Sequence, residues 1–182
     1  MLLVLFFVRI YILTLLLYRM LIMIFKFFDH RDKFTKFQIE RLTNRLMKEE
    51  GFRCCSYWDN KQWTWGYGTK APHANAYINK TDAKRFLDAE VRRVIKEYDW
   101  VRHRCPFRIN EVRREALADM IFNMGMPTFK CFKKMLKLIF NNNDKDWDKV
   151  AKAAKVSLWY SQVGPRAVRI CHELKTGEFE NE

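Results

Sequence analysis

The feature that most constrains the fold is a change of pattern at Gly51. Before it, apolar residues within residues 36–49 recur at the spacing of a helix face. After it, aromatic residues recur at nearly every second position, which is typical of a short, half-buried β-hairpin. These aromatic residues are Tyr57, Trp63, Trp65 and Tyr67. Because glycine suits the turn that ends a helix, the sequence predicts a helix ending at Glu50, followed by the hairpin.

Two carboxylates and a hydroxyl stand in this stretch, at Glu50, Asp59 and Thr64. Cleavage of a sugar–sugar bond needs one carboxyl group that donates a proton and a second that stays charged. Glu50 beside aromatic neighbours suits the first role, and Asp59 in a polar run suits the second. However, helices often end in Glu, and Asp-Asn-Lys is an ordinary turn sequence. Spacing alone therefore leaves a structural and a catalytic interpretation open.

Residues 50–53, 57–59 and 63–69 together resemble the active-site signature of the phage lysozyme family, of the T-even phage type. The resemblance continues through residues 112–125, which are similar to the central buried helix of that family. It ends in a closing segment at residues 159–177. The resemblance covers about residues 37–180, and its motifs follow one another in the same order as in the family. The resemblance implies an α+β, mostly helical fold of two lobes, a small β-hairpin lobe and a larger helical lobe joined by a long helix.

The same resemblance implies an endolysin, a muramidase that hydrolyses the β-1,4 bond between N-acetylmuramic acid and N-acetylglucosamine of peptidoglycan. Glu50 would be the general acid, Asp59 would support the attacking water or the developing cation, and Thr64 would help to hold that water. Phe122 matches a position facing the sugar cleft, and Arg166 matches the arginine that pairs with the acid. The structural alternatives are an ordinary core side chain for Phe122 and a surface helix arginine for Arg166. No metal or cofactor is implied.

Two departures from the family pattern concern the hairpin. The segment between Asp59 and Thr64 is one residue shorter than in the T-even form, which predicts a tighter turn and a different reach for the hydroxyl. Thr69 replaces the family histidine after the Gly-x-Gly sequence, so an ion pair made by that histidine is absent. The family outcome of the reaction is inversion, which requires the wider of the two carboxylate separations.

Residues 1–28 are almost wholly apolar and long enough to span a bilayer core, although Arg9 and Arg19 oppose insertion. With positive charge following the segment, the sequence predicts a membrane-associated enzyme in the host cytoplasm or on the inner face of the membrane, acting on the cell wall. A start codon further downstream is the alternative. The predicted divisions are the apolar segment 1–28, a linker 29–36 and a catalytic domain 37–180.

Other helices follow from periodicity and capping residues. A long helix is predicted from Asp82 to Tyr98 with Thr81 as its N-cap, and Asn110 is predicted to cap the central helix. Three further helices are predicted at Thr128–Ile139, Asp146–Lys155 and Pro165–Leu174, and Gly177 is the predicted stop of the last one.

The net charge of +13 favours an anionic partner, either nucleic acid or a negatively charged bacterial envelope. The basic residues are dispersed and no recognised nucleic-acid-binding motif frames them, but the charge alone does not choose between the two partners. The resemblance implies peptidoglycan rather than nucleic acid as the partner, and a bacteriolytic monomer is expected. Five cysteines are predicted to be free thiols, with the adjacent Cys54 and Cys55 as poor disulfide partners. A zinc amidase or a cysteine peptidase needs histidines that converge on one site, and the four histidines here are scattered along the chain. Neither class is therefore predicted. A lytic transglycosylase, a non-catalytic basic membrane-disrupting protein and a nucleic-acid binder remain as alternatives.

Overall fold

A computed structural model of the protein describes residues 11–21, 23, 33–141 and 146–180. The chain divides into two compact units, Met1–Lys33 and Phe34–Glu182. In the first unit, residues 11–21 are helical and their side chains are exposed. Among the described residues, none of the helices combines the length and apolarity needed to cross a membrane. Much of the predicted apolar segment 1–28, and the first half of the linker that follows it, lie outside the described residues.

The second unit begins with helix α1, Lys36–Glu50. Thr35 and Gln38 form a reciprocal capping box: the Thr35 hydroxyl accepts from the Gln38 N–H at 3.2 Å, and the Gln38 side chain accepts from the Thr35 N–H at 2.9 Å. The helix ends at Gly51, whose φ of 65° is in the region that favours glycine. The predicted helix ending at Glu50 is confirmed.

A three-stranded antiparallel sheet follows, with strands β1 Arg53–Trp58, β2 Trp63–Gly66 and β3 Thr69–Lys70 in the order β1-β2-β3. The hairpin predicted from the aromatic alternation is therefore confirmed. Gly66 has a φ of 61°, and a Cβ placed there would stand 3.0 Å from the Cβ of Ala83. Because of this close approach, only glycine lets β2 lie against the helix that follows the sheet.

Helix α2, Lys80–Arg102, is the long helix that the sequence predicts, but its first turn differs. Asn79 is the N-cap, and its side chain accepts a hydrogen bond from the Asp82 N–H at 2.8 Å. The prediction of Thr81 as the cap is therefore wrong. Both residue types cap helices well, but the Asn79 carbonyl already accepts the first helical bond, from Ala83, so Thr81 lies inside the helix.

Helix α3, Glu111–Phe129, is capped by Asn110 as predicted, and it kinks at Gly125, where φ is 76°. The remaining helices are α4 Lys133–Asn141, α5 Trp147–Lys155, α6 Leu158–Val163 and α7 Pro165–Thr176. The predicted start of a helix at Thr128 is wrong, because residues up to Phe129 continue α3 beyond its kink. Helix α6, capped by Ser157, was not predicted. The predicted stop at Gly177 is confirmed by its left-handed backbone conformation.

Helix α3 passes through the centre of the unit and packs against α1, α2 and α7. Many of its apolar side chains are fully buried, as the sequence predicts for the central helix, whereas Met124 of the predicted stripe is only half-buried. The fully buried side chains include Ala116, Leu117, Ala118, Met120 and Ile121. The small sheet and the larger helical part, joined by α2, give the mostly helical α+β fold of the lysozyme type that the sequence predicts.

Candidate active site

Glu50 occupies the last position of α1, and its side chain keeps 26% of its surface exposed. Its Oε1 accepts a hydrogen bond from Nη1 of Arg166 at 2.8 Å. A Cβ placed on Gly68 would stand 3.4 Å from Oε2, so the backbone of the β2–β3 turn lies against the second oxygen. One oxygen is thus fixed by a cation, while no guanidinium binds the other within the described part of the chain.

Arg166 is itself held by two more carboxylates. Its Nη2 lies 2.6 Å from Oδ1 of Asp119, which is completely buried, and its Nε lies 2.9 Å from Oε2 of Glu49. Burial lowers the pKa of Arg166, but the charges of Asp119 and Glu49 and the hydrogen bond to Glu50 outweigh it, so the pKa is raised. The guanidinium therefore stays charged beside Glu50.

Arg169 extends the same network, one turn further along α7. Its Nη2 lies 2.6 Å from both Glu49 and Asp119, and its Nη1 lies 3.1 Å from the buried Glu173. Burial raises the pKa of Glu49, the charge of Asp119 adds to that rise, and the two arginines oppose it. Helices α1, α3 and α7 are thus joined behind Glu50 by shared ion pairs rather than by apolar contacts alone.

Asp59 lies where β1 turns toward β2, and three donors hold its carboxylate. The Thr64 hydroxyl donates to Oδ2 at 2.7 Å, and the N–H groups of Gln62 and Lys61 donate to Oδ1 at 3.0 and 3.2 Å. Thr64 is only 2% exposed, so its hydroxyl donates to Asp59 from the buried side of the turn. These bonds favour the ionised carboxylate and lower the pKa of Asp59, with the bond from Thr64 as the largest cause.

Replacing Thr64 by Val is expected to raise the pKa of Asp59 toward its usual value, because the donor that most stabilises the ionised form is lost. The carboxylate would then lose its charge at a higher pH than in the unaltered protein. A titration of the Asp59 carboxyl carbon by NMR measures this shift. Thr64→Ser keeps the hydroxyl and should keep the low pKa. An equal rise in both variants would mean that the hydroxyl has no such role.

A cavity of about 420 Å³ lies between the sheet, α2 and α3. Glu50 and Phe122 line it, as does Gln62, whose N–H holds Asp59. Asp59 and Thr64 are not among its lining residues, so the structure groups the predicted site residues into two sets. Glu50 and Phe122 line the cavity and are linked by Arg166, which binds Glu50 and lies over the Phe122 ring at 5.7 Å. Asp59 and Thr64 form a second set at the hairpin turn.

Comparison with known proteins decides the family. A sequence model described as phage lysozyme matches residues 47–170, more than half of the chain. The chain belongs to the phage lysozyme family. The match includes Glu50, the hairpin, the residues that line the cavity and the first half of α7 with Arg166 and Arg169, whereas Glu173 lies beyond it.

Individual relatives of this phage lysozyme chain cover different portions of it. The pre-baseplate central spike protein Gp5 of Enterobacteria phage T4 is 29% identical over 167 residues, covering 77% of this chain and 28% of that protein. Probable T4-type lysozyme 1 of Dictyostelium discoideum is 35% identical over 69 residues, covering 38% and 39% of the two chains. Probable T4-type lysozyme 2 of the same organism is 40% identical over 68 residues, covering 37% and 38%. The match thus spans less than two fifths of the length of each relative.

Sequence reasoning missed two polar residues that line this cavity. Glu90 on α2 adds a second carboxylate to the cavity lining, where it accepts hydrogen bonds from Arg93 at 2.8 and 2.9 Å. Asn123 lines the same cavity and accepts a hydrogen bond from the Trp159 indole at 2.8 Å. Glu90 looks like any polar residue of a surface helix, so no pattern in the sequence identified it as a cavity residue. Asn123 could have been identified, because it directly follows Phe122, a predicted site residue.

The carboxylates behind the cavity do not form a metal site. Within the ranges that the structure describes, no group of three or more His, Cys, Asp or Glu side chains is arranged to hold a metal ion. Glu49 and the buried carboxylates Asp119 and Glu173 instead face guanidinium groups, which occupy the positions that a cation would take.

Proposed function

We propose that this chain is a muramidase that hydrolyses the β-1,4 bond between N-acetylmuramic acid and N-acetylglucosamine in bacterial peptidoglycan. One observation carries the proposal: Glu50 has one oxygen fixed by Arg166, while its other oxygen lies by the Gly68 backbone in an open cavity. Membership of the phage lysozyme family supports it, as do the two relatives whose names describe them as probable lysozymes.

In this proposal Glu50 is the general acid. Its Oε2 carries the proton and donates it to the departing glycosidic oxygen, since Oε1 is already occupied by Arg166. Arg166 also binds Glu49 and Asp119, so its charge is shared with two further carboxylates and its guanidinium is held in place. Arg166 is therefore a positioning residue, which fixes the direction in which the acid points.

Asp59 is the carboxylate that remains charged in the proposed reaction. Its low pKa, maintained by the Thr64 hydroxyl and two backbone N–H groups, keeps it ionised while Glu50 carries a proton. Two carboxyl groups with opposite requirements are the arrangement that glycoside hydrolysis needs. Asp59 would direct the attacking water or stabilise the developing sugar cation, and Thr64 would act mainly by holding Asp59.

The partner in this proposal is the glycan strand of peptidoglycan. Phe122 offers an aromatic face in the cavity against which the apolar face of a sugar ring can pack. The net charge of +13 would draw the protein to an anionic cell envelope. Synthesis in the host cytoplasm, followed by action on the wall with membrane association through residues 1–28, belongs to the same proposal.

Digestion of purified murein tests the reaction type. We expect soluble fragments that end in a reducing sugar, because water attacks the sugar centre in a hydrolase. Mass spectrometry of the fragments measures this outcome. Fragments ending in a 1,6-anhydro sugar would instead identify a lytic transglycosylase, which needs no positioned water.

Intact murein together with leakage from lipid vesicles would contradict the proposal altogether. That result would favour a basic membrane-disrupting protein over an enzyme. Leakage from lipid vesicles should therefore be measured together with the digestion, as its control.

A further inference from the structure

Two adjacent thiols on β1 lie close together at the protein surface. The sulfur atoms of Cys54 and Cys55 are 3.6 Å apart, and both residues are exposed. The sequence predicts that neighbouring cysteines make poor disulfide partners, because their side chains normally diverge. Both cysteines are free thiols, as the sequence predicts, but their sulfur atoms are in contact, and the reason lies in the strand.

Strand β1 is irregular at this position. Arg53 pairs with Gly66 and Tyr57 pairs with Thr64, so three residues of β1 lie opposite the single residue Trp65. In a regular strand successive side chains point to opposite faces, whereas extra residues bend the strand and redirect them. The irregularity therefore accounts for the approach of the two sulfurs. Their contact also raises the pKa of the Cys55 thiol.

The other three cysteines lack this arrangement. Cys171 is buried, and burial raises the pKa of its thiol to about 11, so little thiolate forms near neutral pH. Cys105 is half-buried. Cys131 is exposed, with its sulfur 3.5 Å from the Pro127 carbonyl oxygen, and it serves as an internal control for simple exposure.

We propose that Cys54 and Cys55 form a vicinal dithiol site that small-molecule disulfides modify, closing it to an internal disulfide. One thiolate attacks a sulfur of the reagent, giving a mixed disulfide and releasing one thiol of the reagent. The second cysteine then attacks the sulfur of the first and releases the other thiol. The protein loses two electrons and two protons, and the reagent disulfide gains them as two thiols.

The closed site is strained and easily reopened. Consecutive Cα atoms are about 3.80 Å apart across a trans peptide, below the roughly 4.4–6.8 Å that is usual for disulfides. The sulfurs also have to approach from 3.6 Å to a bond length of about 2.04 Å. Strained, exposed disulfides are the ones that reduce most readily. The site therefore stays open in a reducing cytoplasm and closes only in oxidising surroundings.

Closure affects the strand that connects the two proposed catalytic carboxylates. The Cys54 carbonyl accepts a hydrogen bond from the Ile78 N–H at 2.8 Å, and the Ser56 N–H donates to the Ala76 carbonyl at 2.9 Å. An eight-membered disulfide ring between these two bonds changes the backbone that they hold. The resulting shift reaches Asp59, three residues after Ser56. This effect on activity rests on the proposed function, whereas the modification itself does not.

Incubation of the full chain with oxidised glutathione tests the modification. We expect mass spectrometry to find the peptide containing Cys54 and Cys55 lighter by two hydrogen atoms and free of glutathione. Reduced glutathione should restore the dithiol. In Cys55→Ser, the mixed disulfide at Cys54 should persist, and Cys131→Ser should still form the internal disulfide. Glutathione bound stably to both Cys54 and Cys55, or unmodified thiols in both, would overturn the proposal.

The lytic rate of the oxidised and reduced protein tests the effect on the site. We expect oxidation to slow lysis of purified murein by roughly 10- to 100-fold, the size of effect that a displacement of about 1 Å can have. The double variant Cys54→Ser/Cys55→Ser, which has no thiol on β1, should show the same rate before and after treatment. Equal lytic rates for the oxidised and the reduced unaltered protein would show that closure of the disulfide does not affect the site. If the reduced protein does not lyse murein, the proposed function fails, while the mass measurement still decides whether the site is modified.

Discussion

Glu50→Gln is expected to abolish lysis of purified murein while leaving the fold intact. The amide has nearly the same shape as the protonated carboxyl group and can still accept the bond from Arg166, but it cannot give up a proton to the departing oxygen. General acid catalysis contributes about 100- to 10,000-fold, so a loss of at least about 100-fold is expected. The decrease in turbidity of a murein suspension measures the rate.

The matched control is Glu40→Gln, which makes the same chemical change on the exposed surface of the same helix. This variant should lyse murein at the rate of the unaltered protein. Circular dichroism and thermal unfolding establish that both variants are folded. Lysis by Glu50→Gln at a rate near that of the control would show that another group is the acid, and Glu90 in the cavity lining would be the next candidate.

Asp119→Ala is expected to have the largest effect on stability. Asp119 is completely buried, and its two oxygens bind Arg166 and Arg169, whose side chains keep only 12% and 16% of their surface exposed. Removing one partner of a buried ion pair leaves the other charges uncompensated, which typically costs about 3–5 kcal/mol. Urea unfolding, followed by circular dichroism, measures this loss in the free energy of unfolding.

Arg93→Ala provides the comparison, because it removes an ion pair of similar length at the surface. Arg93 lies 2.8 Å from Glu90 and 2.6 Å from Glu97, with 47% of its side chain exposed. Exposed pairs contribute about 0–1 kcal/mol, so this variant should unfold close to the unaltered protein. Similar losses in the two variants would mean that the network behind Glu50 contributes no more than a surface pair.

Local pattern was enough to predict the elements that carry the site. The apolar periodicity before Gly51 and the alternation after it depend on neighbouring residues, so the α1–hairpin boundary was predicted correctly. The N-cap of α2 was not, because Asn79 and Thr81 are both good capping residues and only the folded turn chooses between them. Periodicity likewise placed the start of α4 too early, since it cannot detect that α3 continues beyond its kink at Gly125.

The remainder of the site depends on contacts between distant parts of the chain. Glu49 and Asp119 look like ordinary polar positions of two helices, and only their meeting with α7 makes them partners of Arg166. The link from Arg166 to Glu50 was predicted through the family resemblance and is present in the structure. The approach of Cys54 to Cys55 depends on the irregular pairing of β1, which no pattern of residue types reveals.

The hydrogen bond between Glu50 and Arg166 joins residues that are 116 positions apart in the chain. A ribosome therefore releases the acid and the hairpin long before it releases α7, Pro165–Thr176. Until α7 has emerged and docked, the hydrogen bond from Arg166 that fixes Oε1 of Glu50 cannot form. The orientation of Glu50, on which its proposed role as the acid rests, therefore depends on a helix that is synthesised more than a hundred residues later.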